Sequence, residues 1–360
     1  MKIAILTYHK TTNYGAIFQA YALQKKLNNM NVEAEILDYR NDTLTKRYSI
    51  NPFVDMNFKN IIKRTLSLKN KIILQSKFEK FSLNNISTSK KIYNENNIVG
   101  AGALYDKFIV GSDQVWNLKL SGNDYNYFLD FLSDNTKKYS YAASFGITAF
   151  SDDEKKLIRQ YLDNFAKISI READGIKLAK EMGICDTYQN VDPVFFLNAK
   201  EWNSLIPNKE SNLGKYILVY EITYTPNLIN FSKKYAREKN LKVVFISGSN
   251  RKIRGFINKN NLSPEEFLMY LKNATYVITS SFHGVALSIV LEKEFYFDLP
   301  SSKKSTGSRI TSLVNLLKIE NRNISSEHID SKKIDYGEVE KILKEEIKKS
   351  EKYLLDILVK

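Results

Sequence analysis

The feature that most constrains this chain is a regular alternation of short apolar runs with longer segments of helical spacing. In the first half, "KIAILTY" precedes "NYGAIFQAYALQKKLNNM", and "VEAEILDY" precedes a long basic helical stretch. "YDKFIVGSD" and "KKYSYAASFG" lead to "DDEKKLIRQYLDNF", "AKISIRE" leads to "ADGIKLAKEMG", and "VDPVFFL" closes the series. A second series runs "KYILVYEI", "TPNLINFSKKYAREKN", "LKVVFIS", "SPEEFLMYLKNA", "TYVITS", "HGVALSIVL" and "EFYFDL". The apolar runs read as buried strands, and Ala16, Ala20, Leu23 and Leu27 share one face of the first helix. Strands that alternate with helices form parallel sheets with right-handed crossovers. The polar, proline-containing "NAKEWNSLIPNKESNLG" reads as a linker between the series. The expected fold is therefore α/β, with two Rossmann-like domains facing across a cleft. They cover 1–198 and 214–330, and an amphipathic helix follows over 331–360. A length of 360 residues agrees with two domains at roughly 100–200 residues each.

Composition narrows the function classes. Hydrophobic residues make up 43% and aromatics 12%, enough for packed cores and against disorder. The single cysteine, Cys185, excludes an internal disulfide framework and a cysteine-based zinc site. There is no HExxH motif, paired Cys/His set or acidic metal cluster, so no metal is expected. The opening apolar run is too short for a signal peptide, and no apolar window reaches about 18 residues. A soluble, cytoplasmic protein is the expectation. The net charge of +14 is concentrated between Arg40 and Lys91, where twelve basic residues meet three acids. Such a segment suits an anionic membrane surface or a phosphorylated substrate, or is a solvated face. Nucleic acid is not expected, because no helix-turn-helix, zinc finger or ribonucleoprotein motif accompanies the charge.

Ligands of parallel sheets bind beyond the carboxyl ends of the strands, so the loops there are where chemistry is expected. Four are polar. In "TYHKTTNYGAIFQA", Asn13, Tyr14 and Gly15 open a helix, where glycine lets an anion or sugar approach the backbone amides. The same residues suit an Asn cap with glycine for close packing. In "VGSDQVWN", Gly111, Ser112 and Asp113 follow a strand. Asp113 can act as a base or hold a sugar hydroxyl and Trp116 can stack on a sugar ring, or the two are a cap and a core tryptophan. In "SIREADG", Arg171 leaves a strand end to point into the cleft as a fork for phosphate or carboxylate, or pairs on the surface with Glu172 or Asp174. In "TSSFHGVALSIV", His283 sits between hydroxyls and a glycine that permits close approach. It suits a general acid or a cationic partner for phosphate, the alternative being a capping or core residue. Downstream, "KKSTGSRITSL" offers Lys303, Lys304 and Arg309 as a second anion clamp. Of the other histidines, His9 shares the first loop and His328 lies in a polar tail segment. The loops share cations and hydroxyls, which points to an anionic, oxygen-rich substrate.

Taken in order, "NYGAIFQAYAL", "FIVGSDQVWN", "SIREADG", "VDPVFFL", "TSSFHGVALSIVLEKEF" and "SRITSLVNLLKIENR" resemble the polysaccharide pyruvyl transferase family, over roughly residues 1–325. The family's fold is similar to the GT-B arrangement of glycosyltransferases. The resemblance implies transfer of the enolpyruvyl part of phosphoenolpyruvate to a saccharide in surface polysaccharide biosynthesis, with release of phosphate and formation of a cyclic pyruvate ketal. Acceptors of this kind belong to capsular, exopolysaccharide or cell-wall polymers, often as lipid-linked precursors. Phosphoenolpyruvate is the donor substrate and no cofactor is implied. The N-terminal domain becomes the acceptor side. Arg171 and Arg309, with Lys303 or Lys304, become the donor clamp. His283 becomes the phosphate contact or general acid, and Asp113 the base or acceptor contact; the two roles can be exchanged. Ser281, Asn13, Tyr14, Gly15, Ser112 and Trp116 become substrate contacts. The basic segment 40–91, which matches the family least, can then lie against an anionic membrane. Two other readings share the fold: a GT-B glycosyltransferase using a nucleotide sugar, and a non-catalytic saccharide-binding protein.

Overall fold

The computed structural model describes residues 1–51, 53, 58–207, 212–249, 251–299, 304–326, 329 and 332–359, without the side chains of 58–64, 66 and 304–306. Its first half comprises β1 (Lys2–Leu6), α1 (Tyr14–Asn29), β2 (Glu33–Ile36), α2 (Asp42–Tyr48), α3 (Phe58–Asn85), β3 (Lys107–Val110) and α4 (Leu118–Ser121). It continues through β4 (Lys138–Ser140), α5 (Asp152–Leu162), β5 (Ile168–Ile170), α6 (Ala173–Glu181), β6 (Thr187–Gln189) and α7 (Ala199–Ser204). The second half comprises β7 (Tyr216–Glu221), α8 (Pro226–Lys239), β8 (Lys242–Ser247), β9 (Ile257–Asn258), α9 (Pro264–Asn273) and β10 (Tyr276–Thr279). It ends with α10 (Phe282–Val290), β11 (Glu294–Phe297), α11 (Lys304–Leu316) and α12 (Tyr336–Val359).

The strands form two parallel sheets. The first has the order β2-β1-β3-β4, and bridges Tyr139–Lys167 and Ala143–Ile170 join it to the β5-β6 pair. The second has the order β11-β10-β7-β8-β9. In β3, β4, β5 and β7 every residue is buried, as expected of parallel strands covered by helices on both faces. Helix α5 starts at a reciprocal cap between Ser151 and Glu154, and α9 at one between Ser263 and Glu266 with Pro264 in its first turn.

Three features differ from the sequence expectation. Residues 199–204 of the expected linker form α7, whose Trp202 is fully buried and donates from Nε1 to the Val194 carbonyl. Strands β6 and β9 join the sheets although neither contains a buried apolar run. Helix α12 crosses back to the first sheet, where the Tyr353 hydroxyl donates to the Ser140 carbonyl at 2.8 Å and Lys167 pairs with Asp356 at 2.7 Å.

One apolar cluster runs through both sheets, from Ile3 and Ile5 to Leu218 and Val244. Tyr14 fastens the halves together. Its ring stacks on Phe267 at 4.3 Å and its hydroxyl donates to the Leu262 carbonyl at 2.9 Å. The carboxyl edges of the two sheets therefore meet across a cleft with a packed floor. No helix among the described residues is long and apolar enough to cross a membrane.

Candidate active site

The cleft has a volume of about 620 Å³ and is lined by loops from both sheets. The loop after β1 contributes His9, Lys10 and Asn13, the loop after β3 contributes Asp113 and Gln114, and the loop after β10 contributes Ser280 to His283. Arg309 of α11 closes it from the second half, and Arg40, Arg47 and Lys119 lie on its first-half wall. Backbone geometry sets several of these positions. Gly111 adopts φ +111°, and a Cβ there would stand 2.4 Å from the Tyr141 carbonyl oxygen. Asp113 follows at φ +72°, a left-handed conformation that aspartate tolerates better than most residues. Ser281 caps α10 by accepting from the Gly284 amide at 3.2 Å. Gly284 is needed for packing rather than for a ligand, because a Cβ there would meet Thr279 Oγ1 at 2.4 Å.

At the floor of the cleft lies a buried ionic cluster. Arg171 Nη1 donates to Asp192 Oδ2 at 2.5 Å and to Ser112 Oγ at 3.4 Å. Its guanidinium also lies 3.6 Å from Asp113 and 3.8 Å from Glu172. His283 Nε2 is 3.4 Å from Asp192 Oδ2, an ion-pair distance without hydrogen-bond alignment. Arg309 Nη1 is 3.9 Å from Asp113. With its amide oxygen turned toward Arg309, Gln114 accepts from Nη2 at 3.1 Å and Nη1 at 3.3 Å. Both guanidiniums lie near the Phe282 ring, that of Arg171 at 4.6 Å and that of Arg309 at 5.9 Å from its centre.

The charges in this cluster shape one another. Burial works against the Arg171 cation, but Asp192, Asp113 and Glu172 hold its pKa above the ordinary value. Burial also works against the Asp192 carboxylate, yet His283 and Arg171 keep it below the usual carboxylate range. Glu172 is pushed up by burial, against the pull of Arg171 and the bond from Ser144. Burial, with the neighbouring charge of Arg171, brings Arg309 down to about 10, so it remains a cation at neutral pH. Among the described residues, Arg309 Nε, His283 Nε2 and Ser280 Oγ at the cleft, and Arg171 Nε and Nη2 and Glu172 Oε2 in the cluster beside it, are buried without hydrogen-bond partners. Such a concentration of unsatisfied buried polar atoms calls for an occupant with acceptor oxygens.

The structure sorts the sequence candidates. His283, Asp113, Arg309, Ser281 and Asn13 line the cleft. Asn13 is at the same time the cap of α1, accepting from the Gly15 amide at 2.9 Å. Arg171 does not point into the main cleft. It lies behind Phe282 and, with Asp192, Gln189 and Ser312, lines a smaller cavity of about 50 Å³. Ser112 is wholly buried beside it. Tyr14 serves the contact between the halves, and Gly15 underlies the imidazole: a Cβ on it would stand 2.1 Å from His283 Nδ1. Trp116 does not reach the cleft either. It is wholly buried, donates from Nε1 to the Tyr127 carbonyl at 3.0 Å and stacks on Phe128. Lys303 and His328 lie outside the described residues, as does the side chain of Lys304. Trp116→Phe is accordingly expected to lower stability by about 1–2 kcal/mol, through lost volume and an unpaired carbonyl, with activity unchanged. Denaturant unfolding and a turnover assay on one preparation check this.

Glu172 does face Arg171, as one sequence alternative had it, but the pair is buried rather than on the surface. Sequence reasoning missed Asp192, Phe282 and Gln114. Each stands within two residues of a quoted motif position, and "VDPVFF" carried the signal, an acid before proline at the end of the first series. It also missed a second charged group on the first-half wall. Asp38 Oδ1 lies 3.2 Å from His9 Nε2 and accepts from Arg40 Nε at 3.0 Å. Burial would raise the Asp38 pKa, but these two partners hold it below the ordinary range.

The model of the family described as polysaccharide pyruvyl transferase matches residues 13–297. Among solved structures, the chain is similar to the UDP-GlcNAc 2-epimerase from Neisseria meningitidis bound to UDP-GlcNAc, with a TM-score of 0.51 and 10% identity over 100% of both chains. It is also similar to a putative UDP-N-acetylglucosamine 2-epimerase from Listeria monocytogenes, with a TM-score of 0.50 and 10% identity over 100% of this chain and 88% of that one. At this identity the likeness shows the fold alone, two Rossmann-like units facing across a cleft in the GT-B manner. No curated protein sequence matches the chain.

Proposed function

The chain belongs to the polysaccharide pyruvyl transferase family, and on that premise we propose that its donor is phosphoenolpyruvate and its product a cyclic pyruvate ketal on a surface polysaccharide or its precursor. The observation that carries the reading is the convergence of elements from both sheets on Arg309, His283 and Asp113, beside buried polar atoms that lack partners among the described residues. Phosphoenolpyruvate carries a carboxylate and a phosphate, which guanidinium and imidazolium groups bind well.

In the proposed reaction a sugar hydroxyl oxygen bonds to C2 of the donor while C3 takes up a proton and becomes a methyl group. A second hydroxyl of the same sugar then bonds to C2 as the C2–O bond to phosphate breaks. Both hydroxyl protons leave the sugar; one balances the proton taken up at C3 and the other leaves with phosphate. His283 contacts the phosphate and supplies the proton, and Asp113 takes the proton of the attacking hydroxyl. Arg309 binds the donor anion. Arg171 acts from behind Phe282 as a positioning residue that holds Asp192 and Asp113 in place. The acceptor lies along the first-half wall, where Tyr8, Tyr48 and Asn117 line the cleft with ring faces and an amide suited to a sugar. No cofactor is called for, because the donor brings its own leaving group. A lipid-linked acceptor would be met at an anionic bilayer. Helix α3, with exposed Ile72, Ile73 and Leu83 among its lysines, is the face we assign to that contact.

The test is phosphate release from phosphoenolpyruvate by purified protein, with galactose-, glucose- and mannose-type acceptors. Acceptor-dependent release, together with thermal stabilisation by phosphoenolpyruvate, is expected. Stabilisation by a nucleotide sugar instead would sink the donor assignment in favour of glycosyl transfer. Co-sedimentation with phosphatidylglycerol vesicles but not with phosphatidylcholine vesicles is expected in the same preparation, and equal behaviour toward both removes the membrane assignment alone.

A further inference from the structure

At about 620 Å³ the cleft holds a ligand of ordinary small-molecule size, which the donor and the modified sugar unit together make up. A polysaccharide continues beyond that unit, so its next sugar must leave through the mouth. On the second-sheet side the cleft is lined by Ile222 and Thr223, directly after β7, and Tyr224 is the next residue along the chain. The surface there is unusual for a loop: Ile222 is 39% exposed and Tyr224 is 63% exposed.

Tyr224 is held in place. The Arg251 guanidinium lies 4.6 Å from its ring centre, and Arg251 Nη2 donates to Glu221 Oε2 at 2.5 Å. Glu221 is buried at the end of β7, and its other oxygen accepts from the Thr225 amide at 2.9 Å. Asn260 donates to the Arg251 carbonyl at 3.2 Å from the far side. The ring and the guanidinium are thus tied to the sheet. A pyranose ring presents apolar C–H faces and a rim of hydroxyls. A fixed, exposed aromatic ring beside a guanidinium side chain that is itself 26% exposed matches both.

We propose that Tyr224, braced by Arg251 and Glu221, is a second sugar subsite that binds the pyranose unit next to the one being modified. The identity of the ligand rests on the pyruvyl transfer reading; the platform itself rests on the geometry. The experiment is saturation-transfer NMR and calorimetric titration of wild type, Tyr224→Ala and Tyr224→Phe. The probes are galactose, glucose and mannose and their β-linked trisaccharides, with phosphate release from phosphoenolpyruvate measured in parallel. Tyr224 is exposed, so its replacement is not expected to disturb folding. Wild type is expected to bind at least one trisaccharide more tightly than the monosaccharide. Tyr224→Ala is expected to cut that advantage by about threefold to tenfold, and Tyr224→Phe to keep it. Phosphoenolpyruvate affinity stays unchanged throughout. An unchanged trisaccharide advantage in Tyr224→Ala overturns the subsite, as does a wild type that binds no trisaccharide. Tyr224-dependent binding of uridine diphosphate in place of the trisaccharide also overturns it. Trisaccharide preference that depends on Tyr224, without any phosphate release, supports the subsite and counts against the donor alone.

Discussion

His283→Ala is expected to slow acceptor-dependent phosphate release by about 10²- to 10⁴-fold, the usual contribution of a positioned acid or base. Gly15→Ala is expected to reproduce much of that loss without touching the histidine. A Cβ at position 15 would stand 2.1 Å from His283 Nδ1 and 2.4 Å from Cγ, so the imidazole must move. It has little room to do so, because Asp192 lies 3.4 Å from Nε2 and the Phe282 ring packs edge-on at 5.0 Å. A displacement of about 1 Å at a reacting group can cost about 10²-fold in rate. Position 15 is helical and has no positive φ, so alanine suits the local backbone, but forcing a confined imidazole aside is expected to cost about 1–3 kcal/mol of stability and to lower the melting temperature accordingly. The double variant should be no slower than His283→Ala alone, since both changes act through one ring. Steady-state turnover and thermal unfolding of the three variants check this. Full activity in His283→Ala would make the histidine a packing residue, and additive losses in the double variant would give Gly15 a separate role.

The second large effect is on stability. Asp192→Ala leaves the Arg171 guanidinium buried without its closest partner, and removing one member of a buried pair costs about 3–5 kcal/mol. Asp113 at 3.6 Å and Glu172 at 3.8 Å still face the cation, which places the loss toward the lower end. Replacing both partners, as in Asp192→Leu with Arg171→Met, should cost less than the two single losses combined. The pH dependence follows from the depressed carboxyl. Burial opposes the Asp192 charge, but His283 and Arg171 outweigh it. Its contribution is therefore fully present above the unfolded value of about 3.9 and is lost as pH falls through the lower folded value. The gap in urea midpoint between wild type and Asp192→Ala should be constant near neutrality and shrink in strong acid. A gap independent of pH down to the acid transition would count against the ion pair as its source.

Much of this architecture is local in origin and could be read from the chain. The parallel strands announce themselves as continuous apolar runs because both faces are covered, and the four polar loops follow from where those runs end. What escaped was short or polar. Strand β6 is half-exposed to exposed along its length and β9 has two residues, so neither has a hydrophobic pattern to detect. Helix α7 did have a signal, the Asn198–Glu201 capping box before Trp202, obscured by the polar and proline-containing residues around it.

The sequence by itself determined the two α/β series, the strand-end loops with Asp113, Arg171 and His283, and the downstream cation Arg309, because hydrophobic period and loop chemistry are properties of neighbours along the chain. Only the tertiary structure decided which of these residues face the cleft. It put Arg171 behind Phe282, Gly15 beneath the imidazole and Trp116 in the core, and it brought in Asp192 from a loop whose residues had no apparent role. Those outcomes depend on how two sheets meet across a shared floor, and contacts between different elements of the fold leave no period in the sequence.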